Sequence, residues 1–189
     1  PLLAKVAELG RLPEADEYDE HGRVVEVFGS IRKAFALIKR VTRIENWDEI
    51  RRRRAEDLLV YLALTRFRRR PAISKLPCRL QRDIRELLGS YRQACERADA
   101  LLFSAGSPDA IDAACRNAPI GKLVPNALYV HRSALDRLEP LLRIYEGCAR
   151  AYLGEISDAN LIKLHRFSGK VSYLVYPDFD RVAHPVLGR

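Results

Sequence analysis

Hydrophobic positions recur along most of this chain at spacings of three and four, the period of a helix that buries one face. Residues 23–41 carry the first long stripe, with Val24, Val27, Phe28, Ile31, Phe35, Ile38 and Val41 on one side. Gly29 and Ser30 inside it lower helix propensity and allow a bend or a close neighbour. A second helix is predicted over residues 46–67, with Asn46 as N-cap and Glu49 completing a capping box. Trp47, Ile50, Leu58, Tyr61, Leu62 and Thr65 fall near one of its faces. Helical patterns also cover residues 77–88, 90–103 and 108–117, the last opened by Ser107 as cap and Pro108 in the first turn. Gly89 and Gly106 supply breaks. Residues 2–9 read as the tail of a helix closed by Gly10 and Pro13, and residues 14–20 as an acidic, solvated linker.

After Gly121 the pattern shifts toward period two. Residues 123–130 are extended in type despite Pro125, and residues 137–153 are helical up to Gly154. Residues 161–165 and 171–176 flank a Ser168-Gly169 turn signal and predict a β-hairpin. The expected fold class is α+β, mostly α: a helical domain with a small C-terminal antiparallel sheet. Its expected organisation is an end element and linker at 1–20, a basic helical region at 21–120, and a smaller α+β region at 121–189. The likeliest seam is 106–121, within what is expected to be one compact domain.

Charge sharpens this picture. The net charge of +8 is uneven: residues 1–20 carry two basic and six acidic side chains, residues 21–97 twenty and nine, and residues 98–189 eleven and ten. A concentrated positive field favours a polyanionic partner. No stretch approaches the roughly 18–20 apolar residues of a membrane span, so no membrane partner and a cytoplasmic location are expected. Cys78, Cys95, Cys115 and Cys148 lack zinc-site spacing and read as reduced core residues.

Arg51 to Arg54 sweep about 300° around a helix, at roughly 100° per residue, and cannot all face one ligand. Arg68, Arg69 and Arg70 close the second helix, where the macrodipole favours cations in any case. Arg79, Arg82 and Arg85 repeat at every third position and form a candidate phosphate-contacting ridge.

The last third places charge inside apolar runs, where folding alone seldom calls for it. Strand alternation puts Leu161, Lys163 and His165 on one face of the predicted hairpin and Ile162 and Leu164 on the other. Arg132, Lys163, His165 and Lys170 are candidate nucleic-acid contacts, the last three expected to converge near Tyr173 and an Asp178–Asp180 corner. Three readings stay open: a polar sheet face stitched by ion pairs, a surface for phosphates or bases, and a metal-dependent site with His165, Asp178 and Asp180 as candidate catalytic residues. His21 and His184 carry no signal. The glycine-rich strand-to-helix turn of nucleotide-cofactor sites is missing from the sequence: Gly106 reads as a helix stop, so no methyl-donor or other cofactor site is expected in this chain, and outside the third of these readings no residue is assigned as a metal ligand.

Four pieces carry a family resemblance: IRRRRAEDLLVYLAL from residue 50, LQRDIRELLGSYRQAC from 80, ALYVHRSALDRLEPLLRIYEGCARAYLGEISDANLIKLHR from 127 and KVSYLVYPDFD from 170. The run 50–180 resembles the region after the catalytic domain in DNA phosphorothioation-associated methyltransferases. The resemblance implies that S-adenosylmethionine belongs to a catalytic domain elsewhere in the parent chain. It also implies an accessory role here: binding nucleic acid, with DNA expected, or orienting substrate for that domain. The alternative is a module that docks the enzyme to modification or restriction partners. The chain begins with Pro1 and has no Met, which matches the expectation of a segment from a longer protein.

Overall fold

A computed structural model describes residues 1–42, 46–154, 156–179, 181–182 and 186–188. It is mainly helical with one small antiparallel sheet, the α+β class expected from the sequence. The helices are α1 (Leu2–Leu9), α2 (His21–Phe28), α3 (Ile31–Thr42), α4 (Trp47–Leu64), α5 (Cys78–Leu88), α6 (Tyr91–Ser104), α7 (Pro108–Asn117) and α8 (Pro140–Leu153). The strands are β1 (Lys122–Val124), β2 (Ala127–His131), β3 (Leu161–His165) and β4 (Val171–Leu174). Among the described residues no helix is long and apolar enough to cross a membrane.

The chain divides into two compact units. The first comprises Pro1–Leu58 and Pro71–Ala94, the second Leu59–Arg70 and Cys95–Arg189, so the division runs through α4 and α6. Residues 106–121, the expected seam, lie wholly inside the second unit. Tertiary contacts rather than glycine breaks decide such a division, and both α4 and α6 run through it without interruption.

In the first unit, Leu2, Val6, Tyr18, Ile31 and Ala34 form a buried cluster, with Phe35 and Trp47 packed against it edge to face, centroids 4.8 Å apart. The helix expected over 23–41 is two helices. Gly29 takes a left-handed conformation (φ 78°) and returns its N–H to the Val25 carbonyl, a C-cap that ends α2. Ser30 Oγ then accepts from the Lys33 N–H, and α3 starts afresh. Residues 14–20 are no free linker: Ala15–Glu17 form a 3-10 turn, Tyr18 is buried, and Arg11 binds Glu17 through both of its Nη atoms.

In the second unit, Leu128, Val130, Ile162 and Leu164 lie buried on one sheet face, and Leu142 and Ile144 of α8 are buried as well. The sheet order is β1-β2-β3-β4, every neighbour antiparallel. The segment 123–130 is therefore a hairpin with Pro125 and Asn126 at its turn, since proline fits between strands but not in the ladder. The fourth strand stops at Leu174, short of the predicted Tyr176, because the Asn160 side chain accepts the Tyr176 N–H at 2.7 Å in place of a strand partner. Helix α8 begins at Pro140 rather than at 137, since the residue before a proline avoids helical geometry and Arg132–Arg137 coil as a 3-10 segment.

Candidate functional site

The expected arginine ridge stands on α5, but two of its three cations already have carboxylate partners. Arg79 Nη2 donates to Glu8 Oε1 at 2.9 Å, and Arg82 Nη1 to Asp16 Oδ1 at 2.8 Å. Arg85 is exposed. Beside them, Arg11 is buried to 4% exposure and bridges Glu17 at 2.7 Å and Asp83 at 2.6 Å. The Arg11 hydrogen bonds outweigh burial and hold the Glu17 carboxyl down to about 2. The acidic N-terminal segment thus neutralises much of the ridge within one unit.

The arginines closing α4 also divide. Arg70 Nε and Nη2 both donate to the Leu62 carbonyl, and Nη2 reaches Asp99 at 2.5 Å. Thr65 Oγ1 adds a third donor to the same carbonyl. Side chains therefore take over a helix-end acceptor, which explains why α4 gives way at Thr65 to a 3-10 turn before residue 67. With its side chain 8% exposed, Arg70 serves the helix end rather than a ligand. Arg68 and Arg69 are exposed, the latter at φ 60°. In the tetra-arginine run, Arg52 pairs with Glu49 and Glu56, and Arg51 donates to the Glu86 carbonyl.

The C-terminal face is built differently. Register places Lys122 opposite Tyr129, Tyr129 opposite Lys163, and Lys163 opposite Ser172, one row across four strands. Lys163 Nζ lies 5.5 Å from the centre of the Tyr129 ring. Alternation is as expected: Leu161, Lys163 and His165 are half-buried on one face, while Ile162 and Leu164 are buried on the other. His165 Nε2 lies 3.0 Å from Ser172 Oγ, so a serine hydroxyl joins the cluster. Burial, then the charges of Lys163 and Lys170, hold the His165 imidazole below its usual range, which makes it neutral at pH 7. At one end His131 stacks on Phe179, centroids 5.3 Å apart.

One part of the expected corner falls elsewhere. Tyr173 faces the opposite way, donating to Glu146 Oε1 at 2.9 Å, because it occupies the alternate position from Ser172. Asp178 is exposed, with its main-chain carbonyl accepting from Arg181 N–H and Val182 N–H. Asp180 and His184 lie outside the described residues. Among the described residues no carboxylate orients His165, and no three His, Cys, Asp or Glu side chains are grouped to hold a metal ion. Gly106 and Ser107 join two helices, α6 and α7, so the strand-to-helix turn of a methyl-donor site is not formed there.

Arg166, unremarked as a structural residue in the sequence, is 7% exposed and holds Asp112 at 2.5 Å and the Val124 and Pro125 carbonyls. It fastens the β1–β2 turn to α7. Burial pulls the Asp112 carboxyl upward, but the Arg166 and Arg116 hydrogen bonds outweigh it and hold that carboxyl below its usual range. Sequence reading also passed over Glu146, Arg143 and Arg150; their i, i+3, i+7 spacing along α8 was the available signal.

Comparison with family models, curated proteins and solved structures finds no match for this chain.

Proposed function

We propose that the chain is an accessory nucleic-acid-binding domain whose main contact is the half-buried face of the four-stranded sheet. The row Lys122–Tyr129–Lys163–Ser172 carries the reading: cations alternate with an aromatic ring, and Lys170, His165 and the His131–Phe179 stack extend it. Lysines spaced along a row meet successive backbone phosphates, and exposed ring faces accept unstacked bases of any sequence. Such a surface positions a strand without reading it. The resemblance to DNA phosphorothioation-associated methyltransferases supports the same role, presentation of nucleic acid to a catalytic domain that would hold S-adenosylmethionine.

The test is fluorescence anisotropy with labelled single-stranded and duplex oligonucleotides over a salt series. Changing Lys122, Lys163 and Lys170 to Gln is expected to flatten the log-affinity against log-salt slope by about two to three. Tyr129→Ala is expected to weaken single-strand binding more than duplex binding. Affinity that ignores salt, or that survives the triple change, overturns the reading.

A further inference from the structure

A cavity of about 540 Å³ lies within the second unit, where the junction of α6 and α7 meets α8 and the β3–β4 turn. That volume is well inside the roughly 300–1,000 Å³ of small-molecule sites. Leu102, Ile111, Val171 and Phe67, the last on the 3-10 turn Thr65–Arg68, supply apolar walls. Val171 pairs with Leu164 on the sheet face opposite Lys163, so the cavity meets the sheet on the side away from the lysine row. Phe67, Pro108 and Gly169 are exposed, which gives the cavity an open mouth.

The polar groups along its walls are already engaged by the protein. Arg166 Nε donates to Asp112, its Nη2 pairs with the same carboxylate, and its Nη1 donates to the Val124 and Pro125 carbonyls. The Tyr145 hydroxyl is shared between the His165 and Lys170 carbonyls at 2.9 and 3.0 Å, and Ser107 Oγ accepts from the Ala110 N–H as the cap of α7. The remaining polar side chain is the half-buried Cys148 thiol. Burial pushes the Tyr145 phenol up to about 12 and raises the Cys148 thiol, so both are uncharged at pH 7. Among the described residues lining the cavity, the one cation is answered by Asp112 and none is a carboxylate.

A charged ligand entering here would give up water and meet no free counter-charge, whereas apolar surface gains by leaving water. Small residues leave the space where the backbone does not require them. Gly106 lies outside the left-handed region, and a Cβ there would meet only the Phe103 carbonyl, at 3.4 Å. Ala149 shares one face of α8 with Tyr145 and Cys148. We propose that this cavity binds a neutral, apolar small molecule, held by burial of its surface rather than by charge. The proposal goes beyond the sheet-face reading and does not depend on it.

The full chain is titrated with N-phenylnaphthylamine and with anilinonaphthalene sulfonate, the same skeleton carrying one negative charge. The readout is the rate at which N-ethylmaleimide alkylates Cys148, followed by mass spectrometry, with the exposed Cys78 on α5 as internal reference. At saturation the neutral probe slows Cys148 at least about fivefold and leaves Cys78 unchanged. Half-protection needs at least about tenfold less of the neutral probe than of the sulfonate. This step uses the parent protein alone. Ala149→Trp and Gly106→Leu, on different elements, each weaken binding of the neutral probe at least about tenfold, with circular dichroism confirming the fold. Lys163→Gln is the control: it leaves that binding intact, separating this site from the sheet face. An unprotected Cys148, equal protection by the sulfonate, or binding that survives a folded cavity-filling variant overturns the proposal.

Discussion

The basic helices of the first unit and the sheet face of the second both looked like polyanion surfaces in the sequence, and the structure treats their cations differently. In the first unit Arg11, Arg79 and Arg82 are bound by Glu17, Asp83, Glu8 and Asp16, three of these four from the first 20 residues. On the sheet face the partner of Lys163 is an aromatic ring and that of His165 a hydroxyl, neither of which removes charge. Cation density in a sequence therefore says little about the field a ligand meets. What counts is whether the fold brings carboxylates to those cations, and here it does so where the arginines are densest.

The largest effect that would break this comparison is on stability. Arg11→Leu strands Glu17 and Asp83 beside a buried site and is expected to cost about 3–5 kcal/mol in urea unfolding. Arg79→Gln, an exposed pair, is expected to cost less than about 1 kcal/mol. If the two costs are equal, Arg11 is no more structural than the ridge and the contrast collapses.

Acid sharpens the same point. With the Glu17 carboxyl lowered to about 2 from an ordinary 4.5, its contribution is complete above pH 4.5 and is lost as pH falls toward 2. The loss is roughly 2–3 kcal/mol. Comparing unfolding at pH 7 and pH 3, the parent should lose more stability than Glu17→Gln; parallel losses would remove the Arg11–Glu17 pair from the account.

Binding effects are smaller. Lys163→Gln is expected to lower oligonucleotide affinity about three- to fivefold at low salt, and Arg79→Gln with Arg82→Gln less than twofold, since Glu8 and Asp16 already hold those cations. The reverse ranking would mean that phosphates displace the carboxylates and that the ridge is the main surface.

The smallest expected effect is on pH dependence. His165 is neutral at pH 7, and a polyanion favours its protonated form, so affinity should rise as pH falls below 7. A gain of about twofold as the pH is lowered through the range below the usual imidazole value, absent in His165→Gln, checks this; a profile in which parent and His165→Gln run parallel throughout would place His165 outside the contact.

The sequence by itself determined the fold class, most helices and the inside-outside sense of the hairpin. Those are local: Ser107 caps α7 through the Ala110 N–H, and the alternation of Leu161 to His165 fixes which residues turn inward. Gly29 was legible as a weak point, but a bend and a full stop differ only in whether the next residue, Ser30, caps a new helix. Only tertiary structure decided the site. Asp83 lies 72 positions from Arg11, and Asp112 lies 54 from Arg166. The lysine row needs three strand registers at once, and Tyr173 leaves the expected corner because β4 pairs Ser172, not Tyr173, with Lys163. Periodicity records which side of an element is dry; it holds no information about which distant charge will meet it there.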